Sequence, residues 1–128
     1  MQKNYKIETL AVQAGYNPQN GDPRVPPIVQ STTFKYNSAQ QLADLFDLKV
    51  AGHFYTRLSN PTVEALENKF AALEGGIGAI ATSSGQAATS LLVENLCSAG
   101  DHIVSAGTIY GGTSNLLAHS FKKLGIET

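Results

Sequence analysis

The chain has 128 residues, 42% apolar and 15% charged, with a formal net charge of −1. That length bounds one domain or less, and the composition is globular, not disordered. No basic block and no 18-residue apolar run is present, and the polar start Met1-Gln2-Lys3-Asn4-Tyr5-Lys6 does not read as a signal peptide, so neither nucleic acid nor a membrane is an expected partner. The single cysteine, Cys97, excludes an internal disulfide and sits in an apolar helical stretch, so a buried, inert thiol and a cytoplasmic location are expected. His53, His102 and His119 have no pair at helical metal-ligand spacing and no acidic partner at ligand spacing, so no metal site is expected.

Residues 1–25 carry little periodicity. Gly15, Pro18, Asn20, Gly21, Asp22 and Pro23 punctuate them, which predicts an extended arm or loop. Pro26-Pro27 then fixes an extended path, and Ile28–Phe34 is rich in β-branched residues, as a strand or an extended segment without a strand partner. Ser38 is placed to cap a short helix with Leu42, Leu45 and Phe46 on one side. An arm of this length has no compact core of its own and needs other surface to lie on.

Tyr55 and Arg57 are two apart, so in an extended segment both side chains leave the same face. A phenol donor beside a planar cationic fork suits an oxyanion or phosphate; the plain alternative is two exposed side chains with no joint role. Asn60 before Pro61 is a helix start, a capping side chain followed by proline at the first helical position. Val63, Leu66, Phe70 and Leu73 continue that helix, and Glu74-Gly75-Gly76 ends it. The glycines of Gly75-Gly76-Ile77-Gly78 precede the next apolar run instead of following a strand, which argues against a dinucleotide fingerprint, and no Walker motif occurs.

Ile77–Ala81 is a short apolar run that predicts a strand. It leads into Thr82-Ser83-Ser84-Gly85-Gln86-Ala87-Ala88, from which a second helix leaves with Ala88, Leu91, Leu92 and Leu96 on one face. A small-residue turn at a helix start leaves free backbone N–H groups beside the positive end of the helix dipole, which suits a phosphate or carboxylate. Gly85 lets an anion approach the backbone, and Ser83 or Ser84 can cap; a plain cap and turn is the other reading. The helix is expected to run to about Leu96 and stop at Gly100-Asp101, before a strand at His102–Ser105. Strand, helix, strand is one βαβ-type unit, which favours an α/β class with a parallel sheet. Tyr110 lies in the loop after the second strand, where open parallel sheets collect ligands, and could face the same crevice as Gly85; a loop tyrosine packed on the next helix is equally open. That last helix uses Leu117, Phe121 and Leu124 and stops at Gly125.

Four stretches in order, VPPIVQSTTF (25–34), YTRLSNPTVEALE (55–67), ATSSGQAAT (81–89) and GDHIVSAGTIYGGT (100–113), resemble the cystathionine γ-synthase-like family of pyridoxal-phosphate enzymes of cysteine and methionine metabolism. Gln86 after Ser-Gly resembles the O-acetylhomoserine sulfhydrylase branch, since the γ-synthase and lyase branches more often carry methionine there. The resemblance implies the amino-terminal part of a fold type I pyridoxal-phosphate-dependent transferase. Residues 1–60 would be an extended arm and subunit-contact segment. Residues 61–128 would be the start of a large parallel or mixed-sheet domain.

By the same resemblance, Ser84 and the amides of Gly85 and Gln86 hold the phosphate of pyridoxal 5′-phosphate, and Tyr110 stacks on its ring and takes part in catalysis. Tyr55 and Arg57 reach the phosphate of the neighbouring subunit, which implies a homodimer or homotetramer. The family's Schiff-base lysine lies in a Ser/Thr-rich motif that none of Lys3, Lys6, Lys35, Lys49, Lys69, Lys122 or Lys123 matches. The chain is therefore expected to be an amino-terminal piece, inactive alone, of an enzyme of γ-replacement. Its substrates would be O-acetyl-L-homoserine and sulfide or a thiol, its products homocysteine or methionine and acetate. A cystathionine γ-synthase or methionine γ-lyase is the alternative within enzymes; a non-catalytic anion-binding or subunit-capping module is the alternative outside them.

Overall fold

A computed structural model describes residues 5–128; most of the polar start, Met1–Asn4 with Lys3, lies outside the described residues. The chain divides into two compact units, one running to Ala81 and the other spanning Thr82–Thr128.

The first unit carries α1 (Ile7–Gln13), α2 (Ala39–Phe46) and α3 (Pro61–Glu74). Helix α1 corrects the expectation of an extended arm or loop over residues 1–25. It packs on α3, and Gly15, just past its end, comes in at φ +89° against the α3 backbone. Lys69 Nζ donates to the Val12 carbonyl at 3.4 Å. The helix is only seven residues long and buries none of its side chains, so it depends on α3 for support and leaves too short a pattern to stand out beside the turn residues that follow.

The α3 start forms as its sequence dictates. Asn60 Oδ1 accepts from the Thr62 amide at 2.9 Å, Pro61 is the first helical residue, and Gly75 closes the helix at φ +67°. The same start ties down the extended segment before it. Asn60 Nδ2 donates to the Val29 carbonyl at 3.0 Å, and the Thr62 hydroxyl accepts from the Val29 amide and donates to the Pro27 carbonyl, both at 2.9 Å. Ile28–Phe34 therefore stays extended without a ladder, touching residue 55 through one antiparallel bridge, Thr33 to Tyr55. Ser38 caps α2 by accepting from the Gln41 amide, and Leu45 is the buried residue of that helix while Phe46 stays exposed against Phe54, ring centroids 4.3 Å apart.

The expected strand at Ile77–Ala81 does not form. Ile77 and Ile80 are exposed, and the Ala81 amide donates to Glu67 Oε1 at 2.8 Å instead of to a neighbouring strand. A strand exists only by pairing, and no partner is present among the described residues. Val63, Leu66 and Phe70, the stripe expected to face a core, are likewise exposed, and Ala65 is the buried residue of α3.

The second unit is built on α4 (Gly85–Leu96) and α5 (Gly111–Asn115), the latter followed by a wider π-type turn, Leu116–Ser120, and a 3-10 turn, Phe121–Leu124. Val93, Leu117, Phe121 and Ile126 form its small core, with Cys97, Ile103, Ile109 and Leu116 packed against it. Leu91, Leu92 and Leu96, expected on one face, are exposed, and Val93 is the residue that α4 buries. Cys97 ends α4 only partly buried, not fully as expected. The π-type turn holds one residue more per turn than an α-helix, so Leu117 and Phe121 are buried while Leu124 rotates out.

The expected strand at His102–Ser105 is reduced to one parallel bridge, His102 to Glu127. The Ile103 amide donates to the Glu127 carbonyl at 2.8 Å and the Glu127 amide to the Asp101 carbonyl at 3.0 Å. Its parallel sense agrees with the parallel-sheet class, but a single bridge is not a sheet, and Val104 beyond it is exposed.

Candidate functional site

At the start of α4, Ser84 is extended, at φ −161° and ψ 159°. Its hydroxyl accepts from the Ala87 amide at 3.1 Å, and its carbonyl accepts from the Ala88 amide at 3.1 Å. The Thr82 hydroxyl donates to that same carbonyl at 2.9 Å, which holds the turn before the helix. Of the amides at the helix start, those of Gly85 and Gln86 have no partner among the described residues. They are two adjacent donors at the positive end of a twelve-residue helix, with open space above Gly85. This donor set has the chemistry a phosphate dianion requires.

The structure brings Tyr110 to the same place. Tyr110 immediately precedes α5, and its carbonyl accepts from the Ser114 amide at 3.0 Å. The residue is 76% exposed, so its ring is accessible for stacking. The Tyr110 ring and the Gln86 side-chain amide meet at Gly112: a Cβ built there would lie 2.5 Å from Tyr110 Cε1 and 2.7 Å from Gln86 Nε2. Gln86 Oε1 is itself buried and without a hydrogen-bond partner. The ring therefore stands beside the side chain of Gln86, whose backbone amide is one of the two free donors, and donors with a stackable ring suit a phosphorylated aromatic group such as pyridoxal phosphate.

Tyr55 and Arg57 belong to the first unit. The expected extended geometry is replaced by a turn, because the Tyr55 carbonyl accepts from the Leu58 and Ser59 amides at 2.9 and 3.1 Å. The turn carries the guanidinium over the tyrosine ring, Arg57 Cζ lying 5.4 Å from its centroid. Both line a mainly apolar hollow of about 350 Å³ with Phe34, Leu42, Phe46 and Phe54. The sequence marks His53 only as a non-metal residue. Its Nδ1 lies 3.0 Å from Ser59 Oγ and its Nε2 3.2 Å from Glu64 Oε2, so it links the turn to the first turn of α3. Gly112 and the His53 link were missed because both depend on contacts between residues far apart or in different elements. The Gly-Gly pair after Tyr110 was the available signal for the first.

Residues 8–128 match the family described as Cys/Met metabolism PLP-dependent enzyme. The chain is 45% identical to O-acetyl-L-homoserine sulfhydrylase of Leptospira meyeri over 99% of its own length and 29% of that protein's. It is 45% identical to L-methionine gamma-lyase of Fusobacterium nucleatum subsp. polymorphum over 98% of its own length and 32% of that protein's. Among solved structures, one described as an O-acetylhomoserine (thiol)-lyase of Campylobacter jejuni, with N′-pyridoxyl-lysine-5′-monophosphate, superposes with a TM-score of 0.90 at 40% identity. That superposition covers 97% of this chain and 30% of that one. The chain thus spans about 30% of the length of these relatives.

Proposed function

The chain belongs to the Cys/Met metabolism PLP-dependent enzymes, and from that membership we propose that the whole protein catalyses γ-replacement on O-acetyl-L-homoserine. Sulfide or a thiol displaces acetate: the Cγ–O bond breaks, a Cγ–S bond forms, and homocysteine or methionine results. The carrying observation is the pair of unpartnered amides at Gly85 and Gln86 beside the exposed ring of Tyr110.

Pyridoxal phosphate, when bound, would supply the electron sink that lets protons leave the α and then the β carbon of the substrate. The work of this chain is to hold and orient. The amides of Gly85 and Gln86, with Ser84 capping the same turn, would take the phosphate, where the helix dipole favours its negative charge. Tyr110 would lie along the cofactor ring and orient the groups between which protons pass. Tyr55 and Arg57 would reach the phosphate bound by a neighbouring subunit, so the active protein would be a homodimer or homotetramer, here read as cytoplasmic. Residues 1–60 would make the subunit contact and residues 61–128 would begin the cofactor domain.

A γ-lyase is the second reading, favoured by the equal 45% identity to an L-methionine gamma-lyase. Both readings meet in one assay on the full-length protein. Acetate and homocysteine released in step from O-acetyl-L-homoserine and sulfide are expected. Ammonia and an α-keto acid from methionine, without sulfide-dependent acetate release, would replace the sulfhydrylase by the lyase.

A further inference from the structure

We infer that Gly112 is a positioning residue: its missing side chain is the space in which the Tyr110 ring and the Gln86 side-chain amide come together. The inference rests on the reading of Tyr110 and the α4 start as the cofactor site. The backbone does not demand glycine at this position. Gly112 lies inside a helix and outside the left-handed region where glycines 15, 21, 75, 100 and 125 sit. Glycine is a poor helix residue, so two in succession within five residues need another reason. Gly111 has open space around the position of a Cβ, whereas a Cβ on Gly112 would stand 2.5 Å from Tyr110 Cε1, 3.2 Å from Tyr110 Cδ1 and 2.7 Å from Gln86 Nε2. The contact with Gln86 therefore falls on one of the two adjacent glycines.

What would yield is also decided by the geometry. The Tyr110 ring is largely exposed and can swing away, so an added methyl group would be relieved by moving the ring and the Gln86 amide, not by opening the core. Gln86 follows Gly85 in the first turn of α4, so its side chain links the anion donors to the ring. Its Oε1 is buried with no hydrogen-bond partner among the described residues, so packing against the ring, and no hydrogen bond, accounts for the place of this side chain. Gly112 sets the ring angle relative to the amides that would hold the phosphate.

The test uses the full-length protein, freed of cofactor and titrated with pyridoxal phosphate, with affinity and the circular dichroism of the bound cofactor as readouts. Gly112→Ala is expected to fold as the parent does, to bind about tenfold more weakly and to change the cofactor dichroism, while Gly111→Ala stays within about twofold of the parent. In a Tyr110→Ala background, adding Gly112→Ala should cost less than about twofold further, because the ring it displaces is already gone. Parent-like affinity and dichroism in Gly112→Ala, an equal cost in both backgrounds, or loss of the fold would each overturn the inference. If Tyr110→Ala weakens binding and Gly112→Ala does not, Gly112 alone is misread. If Tyr110→Ala binds as the parent does, the site reading fails and Gly112 falls with it.

Discussion

Gly15 approaches Ala65 so closely that a Cβ on Gly15 would collide with the Ala65 carbonyl oxygen. Lys69 Cβ and the Lys69 amide nitrogen would both lie 2.9 Å away. The obstacle is mostly backbone, which cannot rotate aside. Gly15→Ala should therefore detach α1 from α3. The cost combines left-handed strain with overpacking, together about 2–4 kcal/mol. Gly21 is the matched control, since it has φ +90° and nothing near its Cβ position. Gly21→Ala carries the strain alone, about 1–2 kcal/mol. Limited proteolysis of the full-length protein should cut the α1 region much faster in Gly15→Ala than in Gly21→Ala; equal rates would mean the α1–α3 docking is wrong.

Asn60 is 4% exposed and uses both ends of its amide. Its oxygen caps α3, and its nitrogen donates to the Val29 carbonyl and to Thr56 Oγ1. Asn60→Ala removes a cap worth ~1 kcal/mol and leaves buried partners unsatisfied at ~1–3 kcal/mol. Asn60→Asp keeps the cap but loses the donor, so its loss should be the smaller of the two. Urea midpoints at pH 7 give the ranking parent, Asp, Ala; an Asp variant below Ala would show that a buried carboxylate facing the Val29 carbonyl costs more than the retained cap returns.

The last helical stretch tests the wider turn at Leu116–Ser120. Phe121 is 2% exposed and Leu124 is 56% exposed. Phe121→Ala should cost ~3–5 kcal/mol by emptying the small core, and Leu124→Ala no more than ~0.5 kcal/mol. An uninterrupted α-helix with Leu117, Phe121 and Leu124 on one face would make both costly, and similar unfolding midpoints for the two variants would restore that continuous helix.

Local chemistry was legible in the sequence and distant chemistry was not. The caps at Ser38, Asn60 and Ser84 and the stop glycines Gly75 and Gly125 form where side chain and neighbouring amide are only two or three residues apart, or where the φ of one residue decides. Helix α1 was illegible because its support is α3, far along the chain. The strands at 77–81 and 102–105 failed because apolar runs announce a tendency to pair, and pairing needs a partner. The stripes at Val63, Leu66 and Phe70 and at Leu91, Leu92 and Leu96 have the right period, yet neither is covered by any element of its own unit. Within the candidate site the Ser84–Gln86 corner was legible for the same local reason as the caps. The Tyr55–Arg57 turn was not, because it depends on which amides the Tyr55 carbonyl accepts from.

The proposed role of Tyr55 and Arg57 across a subunit boundary can be separated from a role within one subunit. Arg57 is exposed and, among the described residues, its guanidinium makes no ion pair and lies over the Tyr55 ring, so Arg57→Ala should leave the fold intact while removing a cation suited to phosphate. Tyr110→Ala should disable the site of the subunit that carries it. Each variant alone is expected to be nearly inactive as full-length protein. In a dimer with one subunit of each kind, the subunit retaining Tyr110 receives an intact Arg57 from its neighbour, so one of its two sites is complete. With random pairing, half the dimers are mixed, and about a quarter of the parent sites should recover. Unfolding and refolding the two variants together, then assaying acetate release, measures this. If Arg57 served its own subunit, every site in every dimer would lack one residue, and mixing would recover nothing.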